Sequence, residues 1–362
     1  MPTMQTLKFV KKDLPRWAAG TVPTPVGPVN RITSDWSRAD HWGMIKSRVS
    51  AFRMSYSVTP GLYAIGDPAK ESDVFVTANY KLTFDTLRRE LKGFNAWVLV
   101  LDTKSINVWC AAGKGTFGTG ELVNRISSAR LDAVVSHRRL ILPQLGAVGV
   151  NAAEVKKKTG FLVSFGPVEA RDIPAYIRNG YTKTTGMSTI RFTMIDRLIL
   201  TPMELNPAMK KFPWIAAGIL LIFGLQPSGL LFHEAWTGGL PFLLLTLIAI
   251  LAGALITPVL LPYVPFRSFA LKGWIVGALF TVPALQLSDL TDPHDGVLRI
   301  AAAVLFPALS SYLALQFTGA TTFTSMSGVK KEMRLGIPLY IGAAAVSLIL
   351  VIIYKMKEWR LV

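Results

Sequence analysis

The sequence predicts an α/β domain of Rossmann-like layout followed by an all-α transmembrane domain of five helices. Three observations predict it. The composition changes near residue 211: residues 212–354 are hydrophobic segments with few charges, and residues 1–211 are an ordinary charged mixture. In the first part, short apolar runs alternate with stretches of helical spacing. In the second, about five apolar segments follow one another, most of them near the roughly 20 residues that a membrane crossing needs.

Residues 1–54 read as an extended N-terminal arm. Pro15, Gly20, Pro23, Pro25, Gly27 and Pro28 interrupt any regular run, and Trp17, Trp36 and Trp42 can staple the arm onto a domain. Residues 1–20 hold no apolar core of signal-peptide length and carry Lys8, Lys11, Lys12 and Arg16, which points to a cytoplasmic location for the large domain.

Residues 55–200 read as the α/β domain. Val74–Ala78 is β-rich, and Phe84, Leu87 and Leu91 have helical spacing. Residues 96–101 (Ala-Trp-Val-Leu-Val-Leu) form an uninterrupted apolar strand of the buried kind. Residues 107–119 follow, and then a helix through about Arg130. Strands are expected at 139–145 and 161–165, and helices at 152–158 and 170–178. Alternation of this kind predicts a parallel sheet whose ligand sites lie at the carboxyl ends of the strands.

Residues 201–362 read as the transmembrane domain, with spans near 212–226, 240–261, 269–287, 297–317 and 337–354. Lys210, Lys211, Arg267, Lys272, Lys330, Lys331 and Arg334 flank them on one side, and Glu234, Asp289, Asp292 and Asp295 on the other. The excess of Lys and Arg puts the large domain on the cytoplasmic side of the membrane; Lys355, Lys357 and Arg360 at the tail run against the rule. The span interiors hold almost no ionisable groups, which favours an anchor or docking platform over a transporter. Residues 318–331, rich in Thr321, Thr322, Thr324, Ser325, Ser327 and Gly328, read as a flexible cytoplasmic loop.

The net charge is +17, and 30 of the 39 basic residues precede residue 212. That suits a basic domain held against an anionic lipid leaflet. Nucleic-acid binding is not expected, because the basic residues are dispersed and no nucleic-acid motif occurs.

Cys110 is the only cysteine in 362 residues. It cannot form an intramolecular disulfide or a cysteine cage, so its chemistry is that of a single soft ligand or nucleophile, or else of a small buried hydrophobe. It lies in Asn107-Val108-Trp109-Cys110-Ala111-Ala112-Gly113-Lys114-Gly115-Thr116-Phe117-Gly118. Asn107 is placed to cap a helix that sets Cys110 in its first turn, and Lys114 follows one turn later. Gly113 to Gly118 also matches the dinucleotide fingerprint, but the preceding strand ends too early and no acidic residue stands about 20 positions on. A phosphate-binding loop fails at Val108 and Gly115. His41, His137, His233 and His294 form no metal-spaced pair, and Asp292-Pro293-His294-Asp295-Gly296 is one residue short of a histidine-ligated corrinoid motif.

The run Asn107 to Gly115 resembles the cap-helix motif of the mercury-methylating corrinoid protein family. The upstream runs 60–66 (Pro-Gly-Leu-Tyr-Ala-Ile-Gly) and 76–82 (Val-Thr-Ala-Asn-Tyr-Lys-Leu) resemble the corrinoid domain which that family shares with the corrinoid iron–sulfur protein of acetyl-CoA metabolism. The resemblance covers roughly residues 55–180, and a five-span C-terminal half matches in layout.

The resemblance implies a corrinoid-binding domain whose cofactor is cobalamin, with the benzimidazole tail displaced and the Cys110 thiolate as lower axial ligand of cobalt. It places Asn107, Val108, Trp109, Cys110, Ala111, Ala112, Gly113, Lys114, Gly115, Thr116 and Phe117 at the corrinoid, and Thr77, Asn79, Tyr80 and Gly146 are added as contacts outside the cap helix. It implies methyl transfer from methyl-Co(III) to Hg(II), giving methylmercury, followed by reduction to Co(I) and remethylation by a methyl-donor protein or a methyltetrahydrofolate system. One cysteine cannot hold an iron–sulfur cluster, so electrons are expected from a partner; the resemblance implies a ferredoxin-like protein with two [4Fe–4S] clusters. The expected location is the inner membrane, multi-pass. A membrane-anchored corrinoid methyl carrier of one-carbon metabolism, with mercury as an incidental acceptor, is the alternative; a transporter with a regulatory cytoplasmic domain is a third reading.

Overall fold

The computed structural model describes residues 16–287, 296–320, 323–324 and 326–361. Lys8, Lys11, Lys12, Asp289, Asp292, His294, Asp295, Thr321, Thr322 and Ser325 lie outside the described residues. The chain divides into two compact units, Met1–Arg191 and Phe192–Val362.

The first unit holds one seven-stranded sheet. Its strands are β1 (Ala18–Val22), β2 (Val29–Ile32), β3 (Gly61–Ile65), β4 (Val74–Ala78), β5 (Ala96–Leu101), β6 (Arg139–Leu142) and β7 (Leu162–Phe165), in the order β1-β2-β3-β5-β4-β6-β7. Its helices are α1 (Arg38–Val49), α2 (Lys81–Glu90), α3 (Val108–Lys114), α4 (Thr119–Ser128), α5 (Leu131–Val134), α6 (Ala152–Thr159) and α7 (Ile173–Arg178). The helix expected to reach about Arg130 is α4, and α3 before it ends at Gly115, which takes the left-handed φ of 80° that favours glycine.

Strands β5, β4, β6 and β7 run parallel, as the alternation predicts. The sheet as a whole is mixed, because β3 pairs antiparallel with β5 and β1 antiparallel with β2. The cause is local: the link from β3 to β4 spans only residues 66–73, shorter than the dozen or more residues of a parallel crossover. The buried alternation divides the core cleanly. Val74, Val76, Ala78, Trp97, Leu99 and Leu101 join α3, α4 and α6 on one face. Phe75, Val98 and Val100 join Phe84 and Leu87 of α2, and Leu91 just after it, on the other. Both faces are covered, which is why β5 carries no polar residue.

Residues 16–54 are part of this unit rather than a separate arm, since they supply β1, β2 and α1. Two of the three tryptophans staple as expected. Trp17 packs edge-on against Tyr63 and Phe84, at 5.8 and 5.2 Å between ring centres, and Trp36 Nε1 donates to the Asp85 carbonyl at 2.8 Å. Trp42 is exposed.

The second unit is helical: α8 (Met194–Leu200), α9 (Pro202–Gly224), a short hairpin of β8 (Leu225–Gln226) and β9 (Gly229–Leu230), α10 (Phe232–Leu251), α11 (Thr257–Val259), α12 (Phe269–Leu287), α13 (Gly296–Gln316) and α14 (Met326–Glu358). It begins at residue 192 rather than 201, because Arg197 of α8 is buried and donates from Nε to the Val259 carbonyl at 3.0 Å. Among the described residues four helices are long and apolar enough to cross a membrane: Phe232–Val259, Phe269–Gln286, Gly296–Gln316 and Ser327–Glu358. The expected fifth span, near 212–226, falls in α9, where Lys210 and Lys211 leave only a short apolar end. Small residues bring the helices together. Gly253, Gly273 and Gly277 each lie so close to Ser310 or Ser311 that an added Cβ would meet it within 3.0 Å. The Thr/Ser-rich loop is shorter than expected, because Ser327, Gly328, Lys330 and Lys331 already belong to α14.

Candidate functional site

The parallel strands make one topological switch. The chain goes from β4 to β5 on one side, then returns past β4 to β6 and β7 on the other. In an open α/β sheet the crevice at such a switch, beyond the carboxyl ends of the strands, is where ligands bind. A cavity of about 400 Å³ lies there. It is lined by Phe75 and Thr77 of β4, Tyr80, Thr83 and Thr86 at and within α2, Asn107, Val108 and Trp109 at the start of α3, and Pro143, Leu145 and Gly166 after β6 and β7.

Helix α3 stands at the rim of this cavity. Asn107 caps it as predicted: Oδ1 accepts from the Cys110 backbone N–H at 2.9 Å. The helix has two unlike faces. Val108, Ala111 and Ala112 are buried against the sheet. Cys110 and Trp109 are partly exposed, and Gly113, Lys114 and Gly115 are exposed. Lys114 has no carboxylate partner among the described residues.

Glycine serves the two faces in opposite ways. A Cβ added at Gly113, one turn beyond Cys110, would meet no protein atom within 4 Å. The space beside the helix at Gly113 is therefore open. On the inner side a Cβ at Gly146 would stand 2.5 Å from the Phe117 ring, and one at Gly149 would stand 2.2 Å from the Phe117 carbonyl oxygen. Gly146 and Phe117 are thus packing residues beneath α3. Gly118 is similarly tight, against the Gly115 carbonyl. The Gly113–Gly118 run ends one helix and leads into the next; it does not open a helix directly after a strand, as a dinucleotide fingerprint would.

The other predicted residues separate in the same way. Thr77 and Tyr80 line the cavity and are buried. Thr116 lies in the turn after α3, where its backbone N–H donates to the Ala111 carbonyl at 3.0 Å. Asn79 is not among the residues that line this cavity. It is buried, and its Oδ1 accepts from the backbone N–H groups of Thr103 at 3.1 Å and Ser105 at 3.0 Å. Sequence reasoning missed Thr103, Thr83, Thr86 and Gly149. The glycine pair Gly146 and Gly149 signals a close backbone approach; nothing local marks Thr103, which matters only because β4 and β5 are neighbours.

Two acidic residues hold the end of β5. Glu121 of α4 accepts from the Asp102 N–H at 2.8 Å and from Arg125 at 2.7 Å. The Lys104 ammonium, 2.5 Å from Asp102, holds that carboxyl below the usual carboxylate range despite partial burial.

The chemistry of the donor set suits a corrinoid. A lone outward sulfur is a soft ligand for cobalt, and the bare Gly113 leaves room for a flat ring beside it.

Residues 51–177 match the family model of the CO dehydrogenase/acetyl-CoA synthase delta subunit. Similar relatives include the acetyl-CoA decarbonylase/synthase complex subunit gamma of Archaeoglobus fulgidus, 32% identical over 131 residues, which are 36% of this chain and 27% of that protein. The corresponding subunit of Methanopyrus kandleri is 34% identical over 128 residues, 34% of this chain and 27% of its own length. The corrinoid/iron-sulfur protein large subunit of Moorella thermoacetica is 32% identical over 119 residues, 32% and 26% of the two chains. The chain thus spans about a quarter of the length of these curated relatives. The matched residues hold β3 to β7 and α3, with most of the residues that line the switch-point cavity, a corrinoid-protein-like domain. The helical unit lies outside the match.

Proposed function

We propose that this chain is a membrane-held corrinoid protein that passes a methyl group to inorganic Hg(II), giving methylmercury, with Cys110 as the lower axial ligand. The observation that carries the reading is the outward Cys110 on a capped helix, beside an open Gly113 and the switch-point cavity, in a domain similar to corrinoid proteins. Bound there, cobalamin supplies a cobalt that accepts a methyl group and yields it to another acceptor. Cys110 would hold the cobalt through its sulfur and donate electron density that favours release toward a soft, electrophilic metal. Asn107 fixes the first turn of α3, and Ala111, Ala112 and Phe117 hold its inner side. The cavity lined by Thr77, Tyr80, Thr83 and Thr86 would hold part of the cofactor. Its volume lies within the range of about 300–1,000 Å³ typical of ligand sites.

The helical unit anchors the domain to the inner membrane and docks a ferredoxin-like donor with two [4Fe–4S] clusters. A methyl-donor protein or a methyltetrahydrofolate system renews the methyl group. Helix α9 serves as a fifth crossing. Its apolar end lies antiparallel along α10, with Phe223 against Gly238 and Leu220 against Gly239. Five crossings also place Lys210, Lys211, Arg267, Lys272, Lys330, Lys331 and Arg334 on the cytoplasmic side with the large domain, as the positive-inside rule asks.

The test uses the purified chain. It is expected to carry cobalt and a corrinoid, and Cys110→Ala is expected to change the cobalt absorption spectrum and abolish methylmercury formation. An unchanged spectrum removes the axial thiolate. A second reading, a methyl carrier of one-carbon metabolism with mercury as an incidental acceptor, draws support from the acetyl-CoA complex relatives. Methyl transfer to Hg(II) that is no faster than to other thiophilic acceptors decides for it.

A further inference from the structure

We infer that Asn79 is a positioning residue: it braces a strained loop that sets where α3 begins, and so where Cys110 points. This rests on the reading of Cys110 as the cobalt ligand. Residues 102–107 connect β5 to α3, and two of them in succession, Lys104 and Ser105, take left-handed backbone conformations with φ of 58° and 61°. Neither is a glycine, so each is held where its side chain disfavours it. Such a conformation persists only when its surroundings over-determine it.

Asn79 supplies that determination from the neighbouring strand. It directly follows β4 and is anchored at its backbone, where its N–H donates to the Leu101 carbonyl at 3.0 Å and its carbonyl accepts from Val58 N–H at 2.9 Å. Its Oδ1 takes the Thr103 and Ser105 N–H groups, one on each side of Lys104. The Thr103 hydroxyl, fully buried, lies 2.9 Å from the same oxygen and 2.7 Å from the Ile106 carbonyl, tying the loop's far end to its near end. Asn107 follows at once and caps α3 through the Cys110 N–H. One buried amide thus connects the end of β4, through two left-handed residues and a cap, to the thiol. The bonds come from within the fold, so Asn79 acts on Cys110 rather than on a ligand.

The experiment uses the full-length chain in detergent as wild type, Asn79→Ala, and Asn79→Ala with Lys104→Gly and Ser105→Gly. Without corrinoid, Asn79→Ala is expected to speed hydrogen exchange of the 103–110 amides and to change the iodoacetamide alkylation rate of Cys110 several-fold. With added cobalamin, binding is expected to weaken by roughly 10–100-fold, the usual effect of removing a group that orients a metal ligand, and the thiolate–cobalt absorption to fade. The two glycines enter positive φ at no steric cost, so the triple variant is expected to regain part of both signals. Should Asn79→Ala fail to fold, Ser105→Pro removes one donor and forbids the left-handed φ without touching β4, and carries the same expected changes.

Wild-type exchange and alkylation in Asn79→Ala, or no recovery with the glycines, overturns the inference. If Cys110→Ala leaves the cobalt spectrum unchanged, the axial reading is lost, and the corrinoid-free measurements still decide the role of Asn79.

Discussion

Helices α2 and α3 leave neighbouring parallel strands at the same edge of one sheet, yet they are covered very differently. Helix α2 is sealed. Its Lys81, Asp85 and Arg88 are buried with Asp40 of α1, in a cluster where Lys81 Nζ lies 3.0 Å from Asp40 and 2.5 Å from Asp85, and Arg88 lies 2.7 Å from Asp85 and 3.0 Å from Asp40. Residues 33–40 close over it: Arg88 also donates to the Thr33 and Asp35 carbonyls. Helix α3 is packed on its inner side only, and its outer side carries Cys110 and an open Gly113. The difference teaches that the fold spends buried charge on holding one helix and leaves its neighbour bare. A bare face beside a cavity at the switch point is where a flat ligand can lie.

The largest effect is expected on the sealed side. Asp40→Ala leaves Lys81 and Arg88 short of a buried partner and is expected to cost about 3–5 kcal/mol, read as a fall in the denaturant midpoint of the first unit. An effect below about 1 kcal/mol would mean that the cluster behaves like an exposed one.

Acid probes the same cluster. Burial pushes the Asp40 carboxyl up, but the Ser37 N–H and hydroxyl and the Lys81 ammonium outweigh it and hold it well below the usual carboxylate range. A carboxylate depressed in the folded state contributes stability that is fully present above its unfolded pKa of about 3.9 and is lost as pH falls through the folded value. Stability is therefore expected to drop below about pH 4, and Asp40→Asn is expected to flatten that limb of an unfolding titration.

Next comes the inner side of α3. Gly149→Ala puts a methyl group 2.2 Å from a backbone oxygen, which cannot swing aside, and is expected to cost about 1–3 kcal/mol by thermal unfolding. The outer side is expected to answer in the opposite way. Gly113→Ala meets no atom and removes a helical glycine, so stability is expected to rise by up to about 1 kcal/mol. Gly113→Leu is expected to leave folding intact and to weaken cobalamin binding. Wild-type affinity in Gly113→Leu would mean that the ring does not lie on this face. The smallest effect is expected for Lys114→Ala, an exposed residue whose stability change should stay within about 0.5 kcal/mol by the same measurement.

Much of the α/β core was legible because its signals are local. The apolar run 96–101 is a buried strand, and Asn107 caps where its side chain and the following turn place it. The edge of the sheet was not legible. Strand β3 pairs with β2 and β5, both distant in sequence, and only the short link 66–73 hints at the reversal. The helix ends in the second unit were blurred for another reason: apolar windows miss turns such as 330–334, which are charged and still helical. In the candidate site, Cys110 was visible as the only thiol and Gly113 as its neighbour. The division of labour among glycines was not, because Gly113 and Gly146 differ only in what lies opposite them.

The sequence by itself determined the two-part composition, the single thiol, the capped turn that carries it and the apolar stretches of the helical unit. Each is a property of residue type at short spacing, where backbone sterics, capping and burial decide. Tertiary structure alone decided which side of α3 stays open, that the Asn79 side chain accepts from the loop before α3, and that four buried charges lock α2 beneath residues 33–40. Those outcomes depend on strands distant in sequence becoming neighbours, and no local propensity records that pairing.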